Sequence, residues 1–176
     1  QLSILCLNII IAYAIFLPAA SGQLNLGAGG FAIIGAYVGG YLNSSFDGLG
    51  WIMPISIPLS ALATAAIAFC LSFPILRTRG VYMVLATFAF AEVVAGIVLN
   101  LEVVGGAAGF PVDGHADISV LAPITLGVVV FCWYLMSTRF GLAMRSVHDD
   151  ENVATLFGIN VRWIRVAAFT LGGLLG

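Results

Sequence analysis

The sequence predicts an all-α protein, a polytopic bundle of membrane-spanning helices, on three observations. Apolar residues make up 61% of the chain and charged residues 8%, against roughly 45–50% and about 25% in ordinary globular proteins. The 176 residues carry 6 basic side chains, all arginine, and 8 acidic ones, too few to coat a water-facing surface. Those charges are segregated, with none before Asp47 and charge-free runs over 48–76, 80–91, 93–101, 118–138 and 166–176. Disorder is excluded by the hydrophobicity, and nucleic-acid binding by the lack of a basic patch. The natural solvent is a lipid bilayer.

A spanning helix needs about 20 apolar residues. The first charge-free run would reach about 69 Å as one straight helix, more than twice the hydrocarbon thickness. It must therefore fold back, and Pro18-Ala19-Ala20-Ser21-Gly22-Gln23 carries the turn signals. Spans are expected near 2–18, 24–42, 52–76, 81–100 and 118–137, with a sixth beginning near 163. The chain begins without Met or a signal-peptide n-region and stops within the sixth run. It is expected to be a fragment of a longer permease-like protein, forming one transmembrane domain over 1–176.

Arginine placement sets the expected orientation. Arg77 and Arg79 share one connection; Arg139, Arg145, Arg162 and Arg165 lie in or beside another, two spans later. The loops 43–50 and 101–117 hold Asp47, Glu102, Asp113, His115 and Asp117 but no arginine. All six positive charges thus fall on one side, which the positive-inside rule makes cytoplasmic. Residue 1 is then outside, and 138–162 is a cytoplasmic loop.

Within the spans, Gly27, Gly35 and Gly39 stand on a four-residue ladder interrupted by Phe31, as a helix-packing stripe that lets backbones approach. A glycine-lined passage is the alternative use. Cys6, Cys70 and Cys132 each fall in a span, without metal-ligand or disulfide spacing, and read as small hydrophobes. Glu92 is the single charge inside a span, about 16 Å above Val81 and near the bilayer midplane. A carboxylate there must face a cavity, pair, or be protonated. It is a candidate pathway residue, with structural hydrogen bonding and proton relay as alternatives. Asn25 and Asn8 are weaker candidates for the same lumen, or interhelical glue. In the glycine-rich outer loop, Asp113, His115 and Asp117 alternate, but with no fourth ligand they read as a solvated acidic loop and no metal site is expected.

The stretch from Arg139 to Ile159 is the most informative. Asp149 or Asp150 can cap a helix start, and Gly158 is a natural stop. Between them fits a helix of about two turns, with Val153, Leu156 and Phe157 as a small apolar face. So short a helix needs a dock: the chain's own helix ends, or a soluble subunit that pushes on it.

Four stretches, in order, resemble the membrane permease of branched-chain amino acid ABC importers. They are Gly22-Gln23-Leu24-Asn25-Leu26-Gly27 followed by Ile34-Gly35-Ala36-Tyr37; Arg77-Thr78-Arg79-Gly80-Val81-Tyr82 followed by Thr87-Phe88-Ala89-Phe90-Ala91-Glu92; the Gly105-Gly106 loop; and Gly141-Leu142-Ala143-Met144-Arg145 through Glu151 to Gly158-Ile159-Asn160-Val161. The last is similar to the E-x-A-A-x-x-x-G loop of such permeases, with Val153 where the first alanine is usual. The resemblance implies a coupling loop carried by Gly141, Arg145, Asp150, Glu151, Ala154 and Gly158, gripped by separate ATPase subunits. It further implies a second, related permease subunit, an extracytoplasmic substrate-binding protein and a bacterial-type cytoplasmic membrane. Ala28 stands where many members have histidine, a departure that bears on the substrate. The chain has no phosphate loop of the G-x-x-x-x-G-K-[ST] type and no nucleophile–base pair, so it reads as a transport subunit without cofactor. A proton-coupled secondary transporter using Glu92, or a structural membrane subunit or channel, is the alternative.

Overall fold

Long apolar runs punctuated by proline, glycine and arginine should fold into helices joined at few points, since lipid leaves backbone groups no other partner. The computed structural model describes residues 1–45, 53–78, 80–101 and 118–176. Its helices are α1 (Leu2–Ala19), α2 (Ala28–Ser45), α3 (Met53–Ile75), α4 (Val81–Asn100), α5 (Ile118–Ser137), α6 (Arg139–Asp149), α7 (Glu151–Leu156) and α8 (Val161–Leu175), with no strand among the described residues. Four of them, α1, α3 from Ile55, α4 and α5, are long and apolar enough to cross a membrane. Glycine and Asn43 dilute α2, and α8 has 15 residues. Asp47, Arg79, Glu102, the Gly105-Gly106 loop, Asp113, His115 and Asp117 lie outside the described residues.

α8 is the hub, packed chiefly on α3 and α1, while α2 bridges α3 and α4, and α5 lies on α1. Two adjacent glycines make that hub possible. A Cβ on Gly172 would lie 2.7 Å from the Ala14 carbonyl of α1, and one on Gly173 would strike Ala68 of α3. Small residues at such crossings let helices gain dispersion contacts that lipid cannot replace. Phe31, Ala68, Ile75, Met83 and Phe169 form the central core. Phe31 sits edge-on to Phe169 at 5.9 Å and tilted against Phe90 at 5.0 Å, locking α2 to α8 and α4.

The expected glycine stripe is corrected. Gly35 faces Thr64 and Gly39 faces Ser60, both on α3, but Gly27 precedes α2 and lies against Thr87 and Phe90 of α4. The tight α2–α4 contact is made by Gly30, whose Cβ would come within 2.9 Å of Ala91. α2 begins at Ala28, not near 24.

Candidate functional site

The reason for that late start is an extended segment that enters the bundle before α2. Ala20, Ser21 and Gly22 close the end of α1, with Gly22 at φ +79°. From there Ser21, Gln23, Asn25 and Gly27 are buried while Gly22, Leu24 and Leu26 are exposed, the two-residue alternation of extended chain. Its polar side chains point inward and its leucines outward, as suits a segment among apolar surroundings. Backbone N–H groups find partners both within the segment and on α4. Gln23 N donates to the Pro18 carbonyl at 3.1 Å, Leu26 N to Thr87 Oγ1 at 3.1 Å and Gly27 N to Asn25 Oδ1 at 2.8 Å. Gln23 Nε2 donates to Ser21 Oγ and, at 3.0 Å, to the Arg165 carbonyl on α8. Gln23 Oε1 and Asn25 Nδ2 stay buried without a partner among the described residues. Thr87 is six residues into α4, so α2 starts about 9 Å inside the bundle.

Glu92 lies near this break, with its neighbour Ala91 against Gly30. α4 turns Met83, Thr87 and Val94 inward. At about 100° per residue Glu92 points roughly the opposite way, and it is exposed. It forms no hydrogen bond or ion pair with a described residue. Of the three pathway candidates, Asn25 is buried at the α2–α4 junction, where the segment meets Thr87 on the inward side of α4, away from the exposed Glu92. Asn8 is exposed on α1, which packs on α8, α5 and α2, and the fold does not bring it to that junction.

A second assembly gathers at the end of the bundle where α1, α3 and α5 stop and α8 begins. The stretch ahead of Asp150, expected as loop, forms α6, with Gly141, Met144 and Val147 buried at helical spacing. That spacing was visible in the sequence, masked by its flanking charges. Gly141 is there because a Cβ would lie 2.7 Å from the Leu135 carbonyl as α5 bends into α6. Arg145 is exposed on α6. α7 follows, capped as expected at Asp150, whose Oδ1 accepts from Asn152 N at 2.8 Å and Val153 N at 3.2 Å. It has six residues, shorter than two turns, because Phe157 leaves helical geometry and Gly158 takes φ +76°. Ala154 turns inward to Val147 and Val161. Val153, Leu156 and Phe157 turn outward, at 45%, 86% and 81% exposure. Of the two docks open to α7, its own helix ends take Ala154 and leave the larger apolar face uncovered. Glu151 Oε2 accepts from Arg165 Nη2 at 3.1 Å, an α7–α8 link the sequence did not disclose because the two residues are fourteen apart.

Arg77, Thr78, Gly22 and Arg165 line neighbouring clefts at this end, so the α1–α2 and α3–α4 connections meet the start of α8 there. Among the described residues no group of His, Cys, Asp and Glu could hold a metal ion.

Comparison with known proteins agrees with the ordered motifs and with an apolar helical bundle. A model of the permease component of branched-chain amino acid transport systems matches residues 2–176. The chain belongs to this permease family. It is 42% identical over 188 positions to the high-affinity branched-chain amino acid transport system permease protein LivM of Salmonella typhimurium, covering 86% of this chain and 43% of that protein. Identity to LivM of Escherichia coli K12 is 30% over the same shares. The guanosine ABC transporter permease protein NupQ of Bacillus subtilis is 24% identical, over 89% of this chain and 56% of its own. The permease chain described here thus spans less than half the length of the LivM proteins. No solved structure matches it.

Proposed function

We propose that this permease is the membrane-spanning subunit of an ABC importer for branched-chain or related amino acids, and that α7 is the handle by which ATPase subunits move it. The supporting observation is the outward Leu156–Phe157 tip on a helix tied to α8. Two large apolar side chains at the end of a capped six-residue helix cost free energy in water and suit a groove on a soluble partner. The inner side of α7 is joined to the bundle by Ala154 and by Glu151–Arg165. A push on the tip is therefore delivered to α8, and through Gln23 on the Arg165 carbonyl to the broken segment ahead of α2.

In this reading the arginine end is cytoplasmic, as the positive-inside rule requires. Gly141, Arg145, Asp150, Glu151, Ala154 and Gly158 form the coupling unit within 138–162. A second, related permease subunit covers the α4 face bearing Glu92, with the passage between them. Lipid cannot solvate that carboxylate, and the chain's own described helices do not cover it. A binding protein delivers substrate on the side opposite the arginines, and ATP hydrolysis belongs to the ATPase subunits.

Proteoliposomes test this directly. Uptake should require added ATPase subunits and ATP, and leucine should compete better than guanosine. Uptake driven by a pH gradient alone would contradict it. Glu92→Gln should lower uptake while leaving the unfolding curve in place; normal uptake would remove the carboxylate from the passage.

A further inference from the structure

The arginine end carries a cleft of about 510 Å³ between the last turn of α3, the start of α8 and the inner side of α7. Arg77, Arg162 and Arg165 line it, and Glu151 is the single carboxylate among its lining residues. Three guanidiniums against one carboxylate leave two positive charges in excess (3 − 1 = 2). This occurs in a chain that holds 6 arginines in all and is net negative. Glu151 engages Arg165; Arg77 and Arg162 form no ion pair with a described residue. The Nε of Arg165 is buried with no acceptor among the described residues. A planar guanidinium is best satisfied by paired oxygens on one anionic centre, and phosphate supplies them from several directions.

The lining also includes the apolar side chains of Phe73, Leu76, Ile159 and Val161. Arg77 stands two residues beyond the end of α3, whose apolar stretch is of membrane-spanning length, which places it at headgroup depth. Trp163, beside Arg162, is exposed, as an interfacial aromatic is. A cationic half at headgroup level joined to an apolar half is the shape an anionic amphiphile fits, and basic pockets between membrane helices bind such headgroups.

We infer that this cleft is a binding site for a phosphate oxyanion, of the kind carried by an anionic phospholipid headgroup, held by the exposed Arg77 and Arg162, with Arg165 adding positive charge to the lining. The bound group would span α3 and α8 and lie against Glu151 and Thr155 of α7, so its occupancy would set how firmly α7 is held. The inference rests on membrane embedding and not on ATPase docking or substrate identity.

The test is native mass spectrometry of the full-length permease in nanodiscs, read without ATPase subunits or ATP so that its failure leaves the docking proposal untouched. The wild type should retain phosphatidylglycerol in preference to phosphatidylcholine. Arg77→Gln with Arg162→Gln should cut that retention about 25-fold, roughly 5-fold for each arginine. Arg162→Lys should give an intermediate loss, because it keeps charge without the fork. Arg139→Gln, outside the cleft, should change nothing. Both arginines in question are exposed, and a matching thermal unfolding curve confirms that the double variant is folded. In neutral phosphatidylcholine nanodiscs, inorganic phosphate binding that the double variant loses would support the same site with a soluble source. No selective retention of either probe, or equal retention by the double variant, would overturn the inference.

Discussion

Arg165 Nη2 of α8 donates to Glu151 Oε2 of α7 at 3.1 Å, while the Arg165 main-chain carbonyl accepts from Gln23 Nε2 at 3.0 Å. One residue thus touches both the short helix at the end of the bundle and the extended segment that leads into α2. The side chains of the pair are 21% and 33% exposed, so solvent screening holds its contribution to about 1 kcal/mol or less. Glu151→Gln should therefore lower global stability little while reducing ATP-driven uptake strongly. Exchanging the charges, Glu151→Arg with Arg165→Glu, should recover part of the pairing energy in a double-mutant cycle. Stability curves and uptake rates on the wild type, Glu151→Gln, the two single exchanges and the double exchange check both statements.

Asp150 holds the start of α7 by accepting from two main-chain amides. Asp150→Ala should cost about 1 kcal/mol of local stability. Hydrogen exchange at Asn152 and Val153 should speed up by roughly 5-fold, the same energy expressed as a rate. Asp150→Asn should keep most of the protection.

Gly158 ends the same helix at φ +76°, with nothing within 4 Å of where a Cβ would be. The cost of substitution is therefore conformational and not steric. Gly158→Ala should destabilise by about 1 kcal/mol and Gly158→Asn by less, because asparagine tolerates the left-handed region. Chemical denaturation of the three proteins gives the order.

Gly172 presents the opposite case. Its helical backbone would accept alanine, but a Cβ there would meet the Ala14 carbonyl and Pro18 Cγ at 2.7 Å. Gly172→Ala should cost about 1–3 kcal/mol by prising α1 from α8. Gly29→Ala, whose Cβ meets nothing within 4 Å, should be neutral or slightly stabilising. Thermal unfolding in one detergent compares them.

Much of this architecture was legible because charge and apolar length are one-dimensional signals. The ends of α1, α4 and α5, the Asp150 cap and the Gly158 stop follow from composition and local stereochemistry. The second helix was misplaced because Gln23 and Leu26 donate to the Arg165 carbonyl and to Thr87, partners that only the fold brings near. α6 was missed because the period of Gly141, Met144 and Val147 is embedded in charged residues. The glycine ladder misled because Gly27 stands outside the helix that carries Gly35 and Gly39. The Glu151–Arg165 link and the three-arginine cleft are tertiary, and no local pattern marks them.

The central claim is that the outward face of α7 meets an ATPase subunit. Cysteine cross-linking of the assembled transporter tests it most directly, with probes at Leu156→Cys, Phe157→Cys, Ala154→Cys and, on the exposed flank of α5, Trp133→Cys. Adducts to the ATPase from positions 156 and 157 alone are the predicted result. Absence of those adducts, or equal yield from position 133, would contradict it.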